Sequence, residues 1–247
     1  MSDSLCSVAG MATAPFHTVL IPGLLCSARL YEQLLPTVWS YGSVTIADNR
    51  RDSTVTAMAQ RLLTAAPDRF ALAGLSMGGY VALEVMRLAP DRVTGLALIS
   101  TSARSDSPEQ VASRREQARA VSAGRFDALV DAVYPVLVDA GNIARKDLAD
   151  FWRTMAHEIG PDAFLTQLAA VMSRPDSRHD LASIRCPTAV VHGTGDQLIA
   201  PENAVEIADA VPHAQLTLVP NAGHMIAQEQ PRAVEAAVRG LLEAVTP

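Results

Sequence analysis

Short runs of β-branched and aliphatic residues alternate along the chain with longer stretches whose apolar positions recur every three or four residues. This alternation predicts an α/β, mostly parallel, doubly wound sheet covered by helices on both faces. The runs fall at residues 18–21, 44–47, 70–73, 93–100, 188–191 and 215–219, so about six strands are expected. Their near-continuous hydrophobicity suits strands buried on both faces. Helical periodicity fills residues 31–39, 55–65, 79–88, 202–210 and 231–245. Residues 1–14 are small and polar without a period and read as a disordered tail.

Between residues 100 and 188 the pattern turns purely helical, with candidates at 109–123, 126–138, 144–158 and 162–172. Such a length cannot be one strand-to-helix crossover. Residues 105–180 are therefore expected to form an inserted helical lid on a core domain made of residues 15–104 and 181–247. The insert carries Phe126, Tyr134, Phe151, Trp152, Met155, Phe164 and Met172. Most of these should pack the insert, a minority should face a cleft, and Phe151, Trp152 and Met155 are expected at its tip.

Composition narrows the partners. A chain of 247 residues with 49% hydrophobic content is long enough for one sizeable core, or a core plus a small accessory unit. The formal charge is −6, and Lys146 is the only lysine among 20 basic residues, so no nucleic-acid partner is expected. No apolar run approaches the ~20 residues of a membrane span. Cys6, Cys26 and Cys186 stand far apart with no paired spacing, which suits reduced thiols in a cytoplasmic protein. Neither they nor the histidines cluster as metal ligands, and no metal or other cofactor is expected. The first residues carry Asp3 and no Lys or Arg before Arg29, unlike a secretory signal.

The candidate chemistry begins at Gly74-Leu75-Ser76-Met77-Gly78, between a strand-like and a helical segment. A serine thrown up at a sharp strand-to-helix turn needs glycine two residues before and after it, where side chains would collide. The Met77 amide should point beside the hydroxyl, at the positive end of the helix that begins there, and could hold an oxyanion. A nucleophilic serine also needs a base and a group to orient that base. Of the six histidines, His17, His157, His179 and His213 read as surface or packing residues. His192 ends a strand and reads as a packed ring with its nitrogens satisfied. His224 lies in the loop after the last strand, and Asp196 in the equivalent loop one strand earlier. Loops at the carboxyl ends of parallel strands are where such sheets carry their chemistry, so Ser76, Asp196 and His224 form the expected triad. Asp176, Asp180 and Asp209 are weaker candidates for the acid. The loop after the first strand, Pro22-Gly23-Leu24, should supply a second oxyanion donor from the Leu24 amide. Cys26 is an alternative nucleophile, though its apolar neighbours suit an inert thiol.

The Pro22-Gly23-Leu24 loop, the Gly74 to Gly79 elbow, Gly193-Thr194-Gly195-Asp196 and Gly223-His224 together resemble the α/β-hydrolase superfamily across residues 16–245. Within it the chain is similar to small capped hydrolases such as 3-oxoadipate enol-lactonases and pimeloyl-acyl-carrier methyl-ester esterases. The resemblance implies a cofactor-free serine hydrolase acting on a small or medium carboxylic ester or lactone through an acyl-enzyme. Carbon–carbon bond hydrolysis of aromatic breakdown products on the same triad, and a non-catalytic ligand-binding or receptor module of this fold, are the alternatives. Members usually open with two further strands; no such pattern precedes Pro15, which leaves a sheet of six. They also often carry Asp-x-Arg-Gly where this chain has Asp48-Asn49-Arg50, so a different loop is expected after the second strand.

Overall fold

Alternate residues of each central strand point to opposite sides of the sheet, and this sorting builds two apolar layers. In the computed structural model, which describes residues 16–246, the strands are β1 (His17–Ile21), β2 (Ser43–Ile46), β3 (Phe70–Leu75), β4 (Val93–Ile99), β5 (Thr188–Gly193) and β6 (Gln215–Val219). The tail expected at residues 1–14 lies outside the described residues. The helices are α1 (Leu35–Trp39), α2 (Val55–Ala65), α3 (Met77–Leu88), α4 (Pro108–Ser122), α5 (Phe126–Leu137), α6 (Lys146–Met172), α7 (Glu202–Ala210), α8 (Ile226–Glu229) and α9 (Pro231–Val245).

The sheet order is β2-β1-β3-β4-β5-β6, with every pair parallel. Val19, Ile21, Leu72, Leu96, Leu98 and Val190 pack on one side with residues of α2, α3 and α7. Leu20, Ala73, Leu75, Ala97, Ile99 and Val191 pack on the other with α9 and with the insert's Phe126, Trp152 and Phe164. The insert thus shares a continuous core with one face of the sheet. Burial on both faces holds for β3 and β5, in which every residue is buried. It fails at β6, where Leu216 and Leu218 are 37% and 41% exposed, because an edge strand has a neighbour on one side only.

Three helices, α4, α5 and α6, fill the long gap between β4 and β5. The two helices expected at 144–158 and 162–172 are the halves of α6, which is bent at Gly160 (φ 78°, ψ 170°) ahead of Pro161. Glycine tolerates that positive φ, and the following proline has no N–H to continue the ladder.

The chain leaves β1 in one direction towards β2 and returns on the other side to β3. Loops at the carboxyl ends of β1 and β3 therefore diverge around a crevice at the switch point of the sheet. The approach of α3 to β1 there is too close for side chains. A Cβ on Gly78 would strike the Ile21 carbonyl, and one on Gly74 would strike the Gly78 carbonyl. Both obstacles are backbone atoms fixed by the sheet or the helix, so neither can swing aside. Gly78→Ala should accordingly destabilise the fold by about 1–3 kcal/mol, the usual range for overpacking. Urea unfolding tests this; a midpoint equal to that of the parent would show that α3 shifts freely against β1.

Candidate active site

Ser76 sits between β3 and α3 with φ 55° and ψ −117°, a left-handed conformation that a non-glycine residue adopts only when its surroundings hold it there. They do so at both peptide groups. The Ser76 N–H donates to the Ile99 carbonyl of β4 at 2.9 Å, and the Ser76 carbonyl accepts from the Gly79 N–H and the Thr101 hydroxyl, each at 2.8 Å. The side chain makes no helix-capping bond. Its hydroxyl is left to face the crevice. Met77 is the first residue of α3, so its N–H has no acceptor within the helix.

The loop after β1 lies directly against this turn: a Cβ on Gly23 would come within 3.4 Å of the Ser76 Cβ. Its shape depends on two buried amides far away in sequence. Leu25 has φ 57°, strained for a leucine, and its N–H donates to Gln167 Oε1 at 3.0 Å. Gln167 Nε2 donates to Asn49 Oδ1 at 2.9 Å, and Asn49 Nδ2 donates to the Pro22 carbonyl at 2.7 Å. Asn49 and Gln167 are both buried. The relay fastens both ends of the Pro22–Leu25 turn, and it gives Asn49 a role that the sequence reading assigned only to an altered loop.

Asp196 follows β5 and His224 follows β6. The Asp196 side chain is fully enclosed. Oδ1 accepts from the Leu198 and Ile199 amides at 2.9 Å each, and Oδ2 lies 2.7 Å from His224 Nδ1. Burial alone would push this carboxyl up, but the His224 charge and the bonds from His192, His224 and the Ile199 amide outweigh it and hold Asp196 well below the usual carboxylate range.

The expectation that both His192 nitrogens would be satisfied holds for only one of them. Nε2 is 2.8 Å from the Ile199 carbonyl and 3.2 Å from Asp196 Oδ2, whereas buried Nδ1 has no partner. A carbonyl can only accept, so Nε2 carries the proton. His192 therefore sets an N–H beside the same carboxylate oxygen that His224 meets. Among the weaker acid candidates, Asp176 pairs with Arg178 and Asp180 lies beside His179; neither contacts His224.

A second buried carboxylate shapes the His224 loop. Glu229 Oε2 accepts from the Gly223 N–H at 2.8 Å, while Oε1 accepts from the Asp139 N–H at 2.7 Å and from Asn142 Nδ2 at 2.9 Å. The Met225 N–H donates to the Leu137 carbonyl at the end of α5. The loop carrying His224 is thereby stapled to the insert. No sequence motif pointed to Glu229.

Ser76, Met77, Leu24 and His224 line one cavity of about 830 Å³. Ser76 and His224 face it without a direct hydrogen bond, a separation common in unliganded sites. Insert residues Leu129, Val133, Trp152 and Phe164 supply apolar wall. Trp152 is held by a bond from Nε1 to the Val130 carbonyl at 2.8 Å. Of the expected tip residues, only Trp152 reaches the cavity: Met155 is wholly buried in the core, and Phe151 packs against that core half-buried. Among the described residues, no group of three or more His, Cys, Asp and Glu side chains could hold a metal ion.

A strained serine at a strand-to-helix turn, with an acid and a histidine on the loops after the last two strands of a parallel sheet, defines a recognisable class. The chain belongs to the alpha/beta hydrolase family, whose profile matches residues 12–237. A thermophilic esterase from Thermogutta terrifontis superposes with a TM-score of 0.84 at 27% identity, covering 94% of this chain and 91% of that one. The enol-lactonase from Burkholderia xenovorans LB400 shares the fold with a TM-score of 0.84 at 23% identity, over 95% and 94% of the two chains. In sequence, the chain is 35% identical over 161 residues to the dihydrolipoyllysine-residue acetyltransferase component of the acetoin cleaving system of Pseudomonas putida. That match covers 64% of this chain and 41% of the relative, so the chain spans less than half of that protein's length. No helix among the described residues is long and apolar enough to cross a membrane.

Cys26 also lines the cavity, and burial pushes its thiol up to about 12, only partly offset by a hydrogen bond at Gly23. A thiol raised that far stays protonated, and so unreactive, at ordinary pH. Iodoacetamide at pH 8 should therefore leave Cys26 unmodified in the folded protein and alkylate it in denaturant, as peptide mapping would show. Rapid modification of the native protein at Cys26 would reopen its claim as a nucleophile.

Proposed function

We propose that the protein is a serine hydrolase that cleaves a small or medium carboxylic ester or lactone through an acyl-enzyme. The observation that carries this reading is the 2.7 Å bond between Asp196 and His224, made across the loops after β5 and β6 and opening on the cavity where Ser76 stands strained. An ionised, immobile carboxylate on Nδ1 fixes the imidazole with its basic Nε2 free, which is what a general base needs.

In the proposed reaction the Ser76 hydroxyl attacks the substrate carbonyl while His224 Nε2 takes its proton. The tetrahedral oxyanion lies between the Leu24 and Met77 amides, one presented by the relay-held loop and the other by the start of α3. His224 then gives the proton to the departing alkoxide, which leaves as the alcohol or, for a lactone, stays attached to the acyl chain. Water, deprotonated by the same nitrogen, attacks the acyl-enzyme and releases the acid. Helices α4 to α6 act as a lid that walls the acyl chain and limits water. The unpaired thiols of Cys26 and Cys186 suit a reducing, cytoplasmic setting.

Two outcomes check the assignment. An organophosphonate ester should add once, at Ser76, and Ser76→Ala should abolish both that adduct and hydrolysis of a 4-nitrophenyl ester; an adduct elsewhere, or turnover surviving in Ser76→Ala, would overturn it. Asp196→Asn should fold and yet lose about 10⁴-fold in kcat, because an amide no longer selects the productive tautomer. Near-normal kcat in a correctly melting Asp196→Asn variant would move the orienting role to another carboxylate.

A further inference from the structure

The cavity is not apolar throughout. At the end formed by α4 and the close of α6, two guanidinium groups converge on one carboxylate. Arg174 donates from Nη1 to Asp106 Oδ1 at 2.6 Å and from Nε to the Arg104 carbonyl at 2.8 Å. Arg114 donates from Nε to Asp106 Oδ2 at 2.7 Å. The side chains of Asp106, Arg174 and Arg114 are 1%, 5% and 18% exposed. One negative charge thus faces two positive ones in a largely water-excluded place. Among the described residues, Arg174 Nη2 and Arg114 Nη1 find no acceptor, nor does the Tyr80 hydroxyl, and all three residues line the cavity.

The neighbouring charges do not cancel this excess. Arg104 is bidentate with Glu206, and Arg178 is bound to Asp176, so both pairs are internally neutral. Glu202, the remaining carboxylate of the lining, lies in the first turn of α7, where the helix dipole already favours it. A buried, uncompensated positive charge is costly unless an anion completes it. Here the unused donors belong to planar guanidinium groups, which suit a carboxylate.

Position relative to the nucleophile follows from α3. The Tyr80 N–H donates to the Ser76 carbonyl at 3.3 Å where α3 begins, and both residues line the cavity. Arg174 stacks on the Tyr80 ring, its Cζ 4.2 Å from the ring centroid. The positive end thus shares the cavity with the serine and meets it through Tyr80.

We propose that Arg114, Arg174 and the Tyr80 hydroxyl form a subsite for a carboxylate on the substrate, so that the preferred ester or lactone is monoanionic, with its charge a few carbons from the scissile carbonyl. The subsite stands on the arginine geometry; only the placing of the carbonyl rests on Ser76 as nucleophile.

Binding and turnover test it separately. In Ser76→Ala, glutarate should raise the melting temperature and glutaramide should not, a reading that needs no catalysis. In the parent protein, kcat/KM for 4-nitrophenyl hemiglutarate should exceed that for 4-nitrophenyl valerate. Arg114→Gln, which leaves Arg174 to neutralise Asp106, should lower that ratio about tenfold, the worth of one charge-assisted hydrogen bond. Arg174→Gln should do the same, and because it opens a buried pair its melt is measured first; Arg114→Gln decides if it fails to fold. Equal shifts from glutarate and glutaramide, or an ester ratio unmoved by Arg114→Gln, would overturn the subsite. A glutarate-specific shift in a protein that hydrolyses neither ester would leave the subsite standing and refute the hydrolase reading alone.

Discussion

A serine at φ 55° and ψ −117° projects its side chain out of both the strand before it and the helix after it, and the contacts around it arise because that turn leaves no room for a Cβ on either flank. Holding such a residue costs on the order of 1–3 kcal/mol. Bonds from β4 and from Thr101 offset the cost, and the approach of Gly78 to the Ile21 carbonyl brings the loop after β1 within reach. One local conformation thus fixes the distance between two neighbouring strands' loops. The loop after β1 answers with strain of its own at Leu25, relieved by an amide from the far end of α6.

Much of this was legible because its signals are local. Strand hydrophobicity, glycine spacing at the elbow and the position of Asp196 and His224 one loop after a strand each occupy fewer than ten consecutive residues. The relay through Asn49 and Gln167 was not legible, since the two are separated by 118 residues and a buried amide leaves no pattern around it. Glu229 escaped for a related reason. It sits in a short helix, where an acidic residue ordinarily means a solvated face, and only the tertiary fold aims it back at Gly223 and Asp139. In the insert, periodicity gave the helices but could not say which aromatic turned inward. Trp152 reaches the cavity while Met155, three residues on, is buried in the core.

Charge tells a similar story on a different scale. A formal net charge of −6 describes the field far from the molecule. Inside the cavity the arithmetic is that of three side chains, Asp106 against Arg114 and Arg174, in a medium where each charge is felt strongly over a few ångströms. Whole-chain composition had no bearing on it.

The clamp at Glu229 bears on how this chain could be recombined. Its two carboxylate oxygens bind one backbone amide from the core and, from the insert, the Asp139 amide and the Asn142 side chain, and the Met225 amide adds a further tie at the end of α5. An insert transplanted from a relative would have to present a backbone N–H where Asp139 presents one and a carbonyl where Leu137 does, or leave a buried carboxylate and a buried amide without partners. The segment from α4 to α6 is consequently no interchangeable module. Its sequence and that of the loop bearing His224 are bound to change together.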